Sequence, residues 1–165
     1  YAYSGGLKPL AVPQNEALIT TQMGMDVVLA HPKGFELEDS VVKSCKENAE
    51  KYGGSFEISN DMNEAFEGAD FVYPKAWSPK QFVPPHNSKV DKDGASAYQA
   101  KFKDWICTMD SLDRTNKAYY MHCGPADRGQ EVTDEVLDTY KRSLYFEEAE
   151  NRLHAQKAVM SIVMP

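Results

Sequence analysis

Short apolar runs with the spacing of β-strands alternate along the chain with longer runs that have the spacing of helices. The runs that favour strands cover residues 27–30, 55–59, 71–73, 118–121 and 143–146. The first of them, Val27-Val28-Leu29-Ala30, is apolar throughout. A continuous apolar run of this length predicts a strand that is buried on both faces of a parallel sheet.

Helices are predicted for the intervals between these strands. Helical spacing covers residues 13–23, 39–52, 61–68, 105–112, 133–140 and 147–164. Gly24, Gly53 and Gly68 close three of these runs, at positions where a left-handed residue commonly ends a helix. Strands that alternate with helices at this interval favour right-handed βαβ crossovers. The expected fold is therefore α/β, a Rossmann-like three-layer sandwich with one parallel sheet and helices on both faces.

One long stretch shows neither spacing. Residues 78–100 are rich in Pro, Lys, Gln, Asn and Gly, and their apolar residues have little periodicity. This composition predicts a long loop, and long loops in compact domains are usually functional or mobile. Residues 1–165 are interpreted as a single domain, because no linker or internal repeat interrupts them.

The charge balance argues against several kinds of partner. The sequence carries 25 acidic and 18 basic residues, a formal net charge of −7, and the basic residues are scattered singly. Nucleic acid and anionic membranes are therefore not expected as partners. No apolar run approaches the roughly 20 residues that a membrane-spanning helix needs. An anionic substrate is still permitted, because a few positioned cations and N–H groups are enough to hold a phosphate.

The sequence has three widely spaced cysteines, Cys45, Cys107 and Cys123, and no two of them form a Cys-x-x-Cys motif. An odd number at these spacings predicts neither a disulfide framework nor a zinc site, so no metal and no cofactor is expected. Reduced cysteines are typical of the cytoplasm, which is the expected location of the protein.

Candidate chemistry is concentrated where the predicted strands end. In an open parallel sheet, ligands bind beyond the carboxyl ends of the strands, so residues just after each strand are expected to share one site. Four such corners are residues 4–15, 74–79, 122–128 and 147–152. The third corner places His122, Cys123, Asp127 and Arg128 within seven residues. The spacing alone fits either a buried strand end with a solvated turn or a reactive site, and both interpretations stay open.

The third corner also resembles part of a known family. The run Met121-His122-Cys123-Gly124-Pro125-Ala126-Asp127-Arg128, followed by Glu131-Val132-Thr133, resembles the His-Cys-Leu-Pro loop of the ornithine and aspartate carbamoyltransferases. Residues 148–158 are similar to the final helix of the same family. The resemblance implies the amino-acid-binding domain of an enzyme that moves a carbamoyl group from carbamoyl phosphate to ornithine or an ornithine-like amine. It also implies that the full-length protein is a homotrimer.

The resemblance implies roles for individual residues. Those implied to be catalytic are His122, Cys123 and Arg152, and those implied to bind the amino acid are Gln14, Lys75, Trp77, Gly124, Pro125 and Asp127. In the family, the loop resembling 122–125 lies between the two substrates, with its thiol near the attacking amine. Arg152 falls where the family has an arginine that helps to hold carbamoyl phosphate. Gln14 falls where the family places an asparagine that holds the carboxylate of the substrate.

Gly124 departs from the family pattern, which almost always has Leu at this position. A glycine makes a loop that must hold hydrogen-bond donors in place more flexible, because ordering a glycine costs more backbone entropy than ordering another residue. This departure supports an alternative function, a catalytically inactive descendant of the family with a regulatory or assembly role.

Lys75 is a second departure, because ornithine enzymes have an Asp there. Its cation suits a carboxylate or the carbonyl of an acylated amine. The corner Tyr73-Pro74-Lys75-Ala76-Trp77 is similar to the knotted branch of N-acetylornithine and N-succinylornithine carbamoyltransferases, and to a related branch whose substrate is uncharacterised. Asp127 stands where N-acetylornithine enzymes have a carboxylate-binding arginine, which argues against that particular substrate.

The sequence lacks the motifs of the carbamoyl-phosphate half of the family, since it contains no Ser-x-Arg-Thr-Arg loop and no His-Pro-x-Gln. The segment 1–4 also has the character of the middle of a strand. We therefore expect a fragment without the N-terminal domain, which does not turn over alone. A dinucleotide-binding domain is a rival that lacks a Gly-x-Gly-x-x-Gly motif, and a receiver domain lacks its acidic cluster.

Overall fold

The structure, a computed structural model, describes residues 1–164. Helices and short strands alternate along the chain. In order they are α1 (Ala11–Gln22), β1 (Asp26–Ala30), α2 (Asp39–Tyr52), β2 (Ser55–Ser59), α3 (Met62–Phe66), β3 (Phe71–Val72), α4 (Lys92–Gln99), α5 (Met109–Asp113), β4 (Tyr119–Tyr120), α6 (Asp134–Thr139) and α7 (Tyr145–Val163). Single turns of 3-10 helix at Lys80–Phe82 and Ala100–Phe102 precede and follow α4.

The strands lie in two parallel pairs. β1 pairs with β2, with Val28 opposite Glu57 at the centre, and β3 pairs with β4, with Val72 opposite Tyr120. The predicted α/β class, with parallel strands and helices, is confirmed. The strands form two separate pairs instead of one continuous sheet. Val28 is 49% exposed, so the prediction that both faces of this strand are buried is wrong.

The helix α2 has the predicted bounds, and α1 and α3 begin and end within two residues of the predicted positions. Gly53 follows α2 in the left-handed region, with φ +84°, and its N–H donates to the carbonyl of Ala49. Asp61 precedes α3, and its side chain accepts hydrogen bonds from the N–H groups of Asn63 and Glu64. This cap satisfies donors that have no partner inside the helix, which stabilises a helix of only five residues.

The stretch predicted to be a loop contains α4. The carboxylate of Asp91 accepts a hydrogen bond from the N–H of Gly94 at 2.9 Å and so caps this helix. Ala95 and Gln99 are fully buried. The prediction of a loop over 78–100 is therefore wrong in its second half, because tertiary packing of a short face stabilises a helix whose periodicity is weak.

The last predicted strand, at 143–146, is also wrong. Ser143 forms only an isolated parallel bridge with Tyr120, and α7 begins at Tyr145. The N–H of Leu144 donates to the carbonyl of Tyr120 at 2.8 Å, and the chain then turns into the helix. Acidic residues in the first turn of α7 favour this helix start.

Two hydrophobic clusters pack the body of the chain. The first contains the aromatic side chains of Tyr1, Phe35, Trp77 and Trp105, and the second surrounds the buried Tyr120. α7 differs from both, since every residue from 149 to 164 is exposed. Only the first turn of α7 packs against the rest of the described chain.

Candidate active site

The loop that follows β4 is fixed by a buried imidazole. His122 is fully buried, and its Nδ1 accepts a hydrogen bond from the N–H of Gly124 at 2.9 Å. This bond assigns the ring proton to Nε2, which donates to Oε2 of Glu131 at 3.1 Å. A neutral His122 therefore ties its own loop to a carboxylate nine residues further along the chain.

Glu131 is the centre of the site. Its Oε1 accepts hydrogen bonds from Nζ of Lys75 at 2.5 Å and from the N–H of Ala76 at 2.7 Å. Its Oε2 accepts from His122 and from the N–H of Asp127 at 2.8 Å. The side chain is fully buried, and four donors satisfy its two oxygens. One carboxylate thus joins the segment after β3 to the loop after β4.

These donors determine the protonation state of Glu131. Burial acts to raise its pKa, but the hydrogen bonds from His122 and Lys75, together with those from the backbone, outweigh that effect and lower the pKa to about 2. Glu131 is therefore ionised at neutral pH and balances the ammonium of Lys75. Its role was missed by the sequence prediction, although Glu131 lies within the run that carries the family resemblance.

Asp127 binds side chains of the first corner, residues 4–15, and so connects this corner to the loop after β4. Its Oδ2 accepts hydrogen bonds from Oγ of Ser4 at 2.7 Å and from Nζ of Lys8 at 2.8 Å. Burial acts to raise the pKa of Asp127, but the bonds from Lys8 and Ser4 outweigh it and hold the pKa below its ordinary value. Next to it, the side chain of Gln130 accepts from the N–H of Gly5 at 2.7 Å.

Two tyrosine rings pack against His122, one from the segment after β3 and one from the start of α7. The ring of Tyr73 stacks on the imidazole, with centroids 6.2 Å apart and an interplanar angle of 13°, and the ring of Tyr145 lies 6.2 Å away. The hydroxyl of Tyr73 donates to Oε1 of Glu148 at 2.7 Å. Burial and this carboxylate raise the pKa of Tyr73, so the phenol stays protonated. The fourth corner is therefore connected to the site through Tyr73, which comes directly before the second corner.

Arg152 lies on α7, four residues after Glu148 and seven after Tyr145. This spacing places it on the face of the helix that packs on His122 in the first turn. The residue itself is exposed. Arg152 therefore lies on the same face of α7 as Tyr145, about two turns further along the helix.

The predicted loop residues differ in accessibility. The thiol of Cys123 is partly exposed, and Pro125 is exposed. Gly124 has φ +65°, in the left-handed region, and precedes a cis peptide bond to Pro125. Glycine adopts this φ without strain, so Gly124 suits the ordered loop that the structure shows.

Gln14 and Trp77 lie away from the His122 network. The side-chain carbonyl of Gln14, in the first turns of α1, accepts a hydrogen bond from the N–H of Glu38 at 3.3 Å. Trp77 is 2% exposed, and its indole N–H donates to the carbonyl of Phe35 at 2.9 Å. Trp77 therefore anchors the Lys75 segment in the core, whereas Gln14 joins α1 to the loop before α2.

Residues 1–164 contain no group of three or more His, Cys, Asp or Glu side chains placed to hold a metal ion. Within the same residues, no helix combines the length and the apolar character needed to cross a membrane.

The structure is an α/β domain whose candidate site lies at the carboxyl ends of its parallel strands, and comparison with known proteins identifies its family. The family model described as aspartate/ornithine carbamoyltransferase, Asp/Orn binding domain, matches residues 9–163. The chain belongs to this family, which confirms the resemblance drawn from the sequence.

Two relatives show how much of a longer protein the chain represents. The first is YgeW of Escherichia coli strain K12, which is named a putative carbamoyltransferase. It is 41% identical over an alignment of 166 positions that covers 89% of this chain and 42% of that protein. The anabolic ornithine carbamoyltransferase of Pyrococcus furiosus is 39% identical over 145 residues, which cover 87% and 43%. The chain thus spans less than half the length of these relatives.

Solved structures confirm the fold. N-acetyl-L-ornithine transcarbamylase in complex with acetylcitrulline superimposes with a TM-score of 0.91 at 30% identity, covering 100% of this chain and 48% of that one. A single-residue mutant of N-acetyl-L-ornithine transcarbamylase in complex with carbamyl phosphate and N-succinyl-L-norvaline also gives a TM-score of 0.91, covering 99% of this chain and 48% of that one.

Proposed function

We propose that this chain is the amino-acid-binding domain of a carbamoyltransferase, which moves the carbamoyl group from carbamoyl phosphate to the amine of ornithine or an ornithine-like compound. The observation that carries the proposal is the buried Lys75–Glu131–His122 network. It fixes the loop 122–127 in the position where the family resemblance expects the two substrates to meet.

The reaction needs a positioned loop more than it needs acid or base chemistry. The uncharged amine attacks the carbamoyl carbon to form a C–N bond, the C–O bond to phosphate breaks, and the departing phosphate accepts the proton that the amine loses. The negative charge that develops on the carbamoyl oxygen is stabilised by preorganised donors. The N–H of Gly124 donates to Nδ1 of His122, which supports an ordered loop around Cys123. In this proposal, the thiol of Cys123 and a backbone carbonyl of the loop face the reacting groups.

The charges in the site support a neutral acceptor group next to Lys75. Glu131 already balances the ammonium of Lys75, and Lys8 balances Asp127. A second full negative charge at Lys75 would lie close to the carboxylate of Glu131. A carbonyl oxygen, as in an acylated amine, accepts a hydrogen bond from Lys75 without that repulsion.

The full-length protein is a cytoplasmic homotrimer in this proposal. The family resemblance supports the trimer, and the three unpaired cysteines support a reducing compartment. In the complete protein, the exposed Arg152 binds carbamoyl phosphate together with residues of the other domain.

A direct assay tests the proposal. The full-length protein is incubated with carbamoyl phosphate and, in turn, ornithine, N-acetylornithine, N-succinylornithine, putrescine and aspartate, and ureido product is measured. We expect turnover with one ornithine-like acceptor. Arg152→Gln should raise the KM for carbamoyl phosphate at least about tenfold, because a charged contact to phosphate is lost. Arg114→Gln, which removes an exposed arginine paired with Glu67, should leave kinetics unchanged. The absence of product with every acceptor would contradict the proposal.

A further inference from the structure

Lys8, in the first corner of the site, contacts both the second corner and the third. Its backbone N–H donates to Oγ of Ser78 at 2.9 Å, and its carbonyl accepts from the N–H of Ser78 at 3.0 Å. Ser78 is buried, so these two bonds fix the backbone of Lys8 beside the segment after β3. The Nζ of Lys8 lies 2.8 Å from Oδ2 of Asp127, in the loop after β4. The backbone and the ammonium of Lys8 are therefore both held in place.

The ammonium of Lys8 is charged and accessible. The hydrogen bond to Asp127 raises its pKa above the ordinary value, although burial opposes this shift. An ammonium has three N–H donors, and within the described residues Lys8 uses one of them, on Asp127. The side chain is 26% exposed, compared with 11% for Lys75. Of these two lysines in the site, Lys8 is the one that has more room for a ligand.

Asp127 offers an acceptor oxygen next to this cation. Ser4 and Lys8 both donate to Oδ2 of Asp127, and within residues 1–164 no donor binds Oδ1. The side chain of Asp127 is 28% exposed, close to the value for Lys8. A cation and a carboxylate oxygen are thus presented side by side to solvent.

This pair suits a ligand group that carries a carboxylate and an N–H donor close together. A carboxylate alone would meet the charge of Asp127 as well as that of Lys8. The α-carbon of an amino acid carries both a carboxylate and a nitrogen, and the nitrogen gives Asp127 a donor in return. A free α-ammonium and an acylated α-nitrogen both keep such an N–H.

The pair also lies beside the loop that the proposed reaction uses. The N–H of Asp127 donates to Oε2 of Glu131 at 2.8 Å, so Asp127 is tied to the buried network. The ammonium of Lys8 is close enough to Cys123 to interact with it electrostatically. A head group bound at Lys8 and Asp127 therefore leaves the distal amine of a short amino acid within reach of this loop.

We propose that Lys8 binds the α-carboxylate of the acceptor, and that Asp127 positions Lys8 and accepts a hydrogen bond from the α-nitrogen. This inference rests on the proposed function, because it names the residues that select an amino acid over a simple diamine in the same reaction. Lys8 is therefore a specificity-determining residue.

The test compares acceptors that differ by the carboxylate alone. Putrescine is ornithine without its carboxylate, and N-acetylputrescine is N-acetylornithine without it. For the pair that turns over with carbamoyl phosphate and the full-length protein, the ratio of kcat/KM for the amino acid to that for the diamine is measured. The folded fraction cancels from this ratio, because both values come from the same preparation. We expect Lys8→Gln to lower the ratio at least about tenfold, since a hydrogen bond between two charged groups is lost.

Two further variants serve as controls. Lys8→Arg keeps the cation and should retain most of the preference for the amino acid. Lys43→Gln, which removes an exposed lysine paired with Glu47 on α2, should leave the ratio unchanged.

Asp127→Ala tests the second contact. It should lower the preference for the amino acid over 5-aminopentanoate, which has the carboxylate but no α-nitrogen, by about tenfold. Turnover by Lys8→Gln with an unchanged ratio would overturn this inference and leave the proposed function standing. Absence of turnover by the unaltered protein with every acceptor would instead overturn the proposed function, and this inference with it.

Discussion

At the scale of single residues, Glu131 has the largest predicted effect on stability. Its carboxylate holds Lys75 and His122, and both side chains are largely or fully buried. Glu131→Gln keeps the shape but leaves the ammonium of Lys75 buried without its counter-charge. We expect the free energy of unfolding to fall by about 3 kcal/mol, the usual cost of removing one partner from a buried pair. Urea denaturation of the chain measures this change.

Glu135→Gln is the control for that variant, because Glu135 is exposed in the first turn of α6. A surface change of this kind should alter stability by less than about 0.5 kcal/mol. Equal stability of the Glu131 and Glu135 variants would show that the network contributes little to the fold.

The same carboxylate predicts how stability depends on pH. The pKa of Glu131 is lowered from 4.5 to about 2 in the folded chain. A lowered folded-state pKa stabilises the protein above pH 4.5, and this contribution is lost as the pH falls from 4.5 through about 2. Asp127, whose pKa is also lowered, adds a dependence of the same sign. Glu131→Gln should therefore be less stable at neutral pH but should lose less stability between pH 5 and pH 2.

Gly124 allows backbone strain and side-chain crowding to be separated. Gly124 and Gly129 both have positive φ, +65° and +70°. A Cβ at 124 would lie 3.1 Å from the hydroxyl oxygen of Tyr145, whereas a Cβ at 129 meets open space. Ala at either position should destabilise the chain by about 1 kcal/mol through strain. Gly124→Ala should cost more than Gly129→Ala, and Tyr145→Phe should remove most of the difference in urea denaturation.

The outcome at Gly124 also bears on the alternative of an inactive descendant. Leu at this position would carry both the left-handed strain and the contact with Tyr145. If Gly124→Ala proved as stable as the original chain, the loop would have to adopt a different backbone, and the ordered loop described above would be wrong.

At the scale of elements, α7 is held to the body by its first turn. Tyr73→Phe removes the hydroxyl that donates to Glu148 and leaves that carboxylate without this partner. We expect faster amide exchange over residues 145–152 and a loss of about 1–2 kcal/mol in local stability. Tyr119→Phe is a matched control, because the ring of Tyr119 packs under Arg142 and not on α7. Unchanged exchange in Tyr73→Phe would mean that α7 is anchored by other contacts.

The elements also show what the sequence was able to predict. α2 and α3 carry their own start and stop signals, a left-handed Gly53 and a capping Asp61, and their bounds were predicted closely. α4 has a capping Asp91, but its periodicity is weak and proline precedes it, so tertiary packing decided its structure. The run at 143–146 has the composition of a strand, yet only Ser143 has a bridge partner.

At the scale of the whole molecule, the site joins residues that are distant in sequence. The sequence identified the corners that meet, because the carboxyl ends of parallel strands share an edge. It did not identify Glu131 as the partner of Lys75, since the two are separated by 56 residues and neither spacing nor composition links them. Their contact depends on how the β3 and β4 segments pack together.

The most direct test of the central claim, that this chain binds the amino-acid substrate of a carbamoyltransferase, is an amide-NMR titration. The chain is titrated with ornithine, N-acetylornithine, N-succinylornithine, putrescine and aspartate. We predict selective shifts at residues 122–127 and at Lys75 for one ornithine-like compound, which are weakened in Lys75→Gln. The absence of shifts at these residues with all five compounds would contradict the claim.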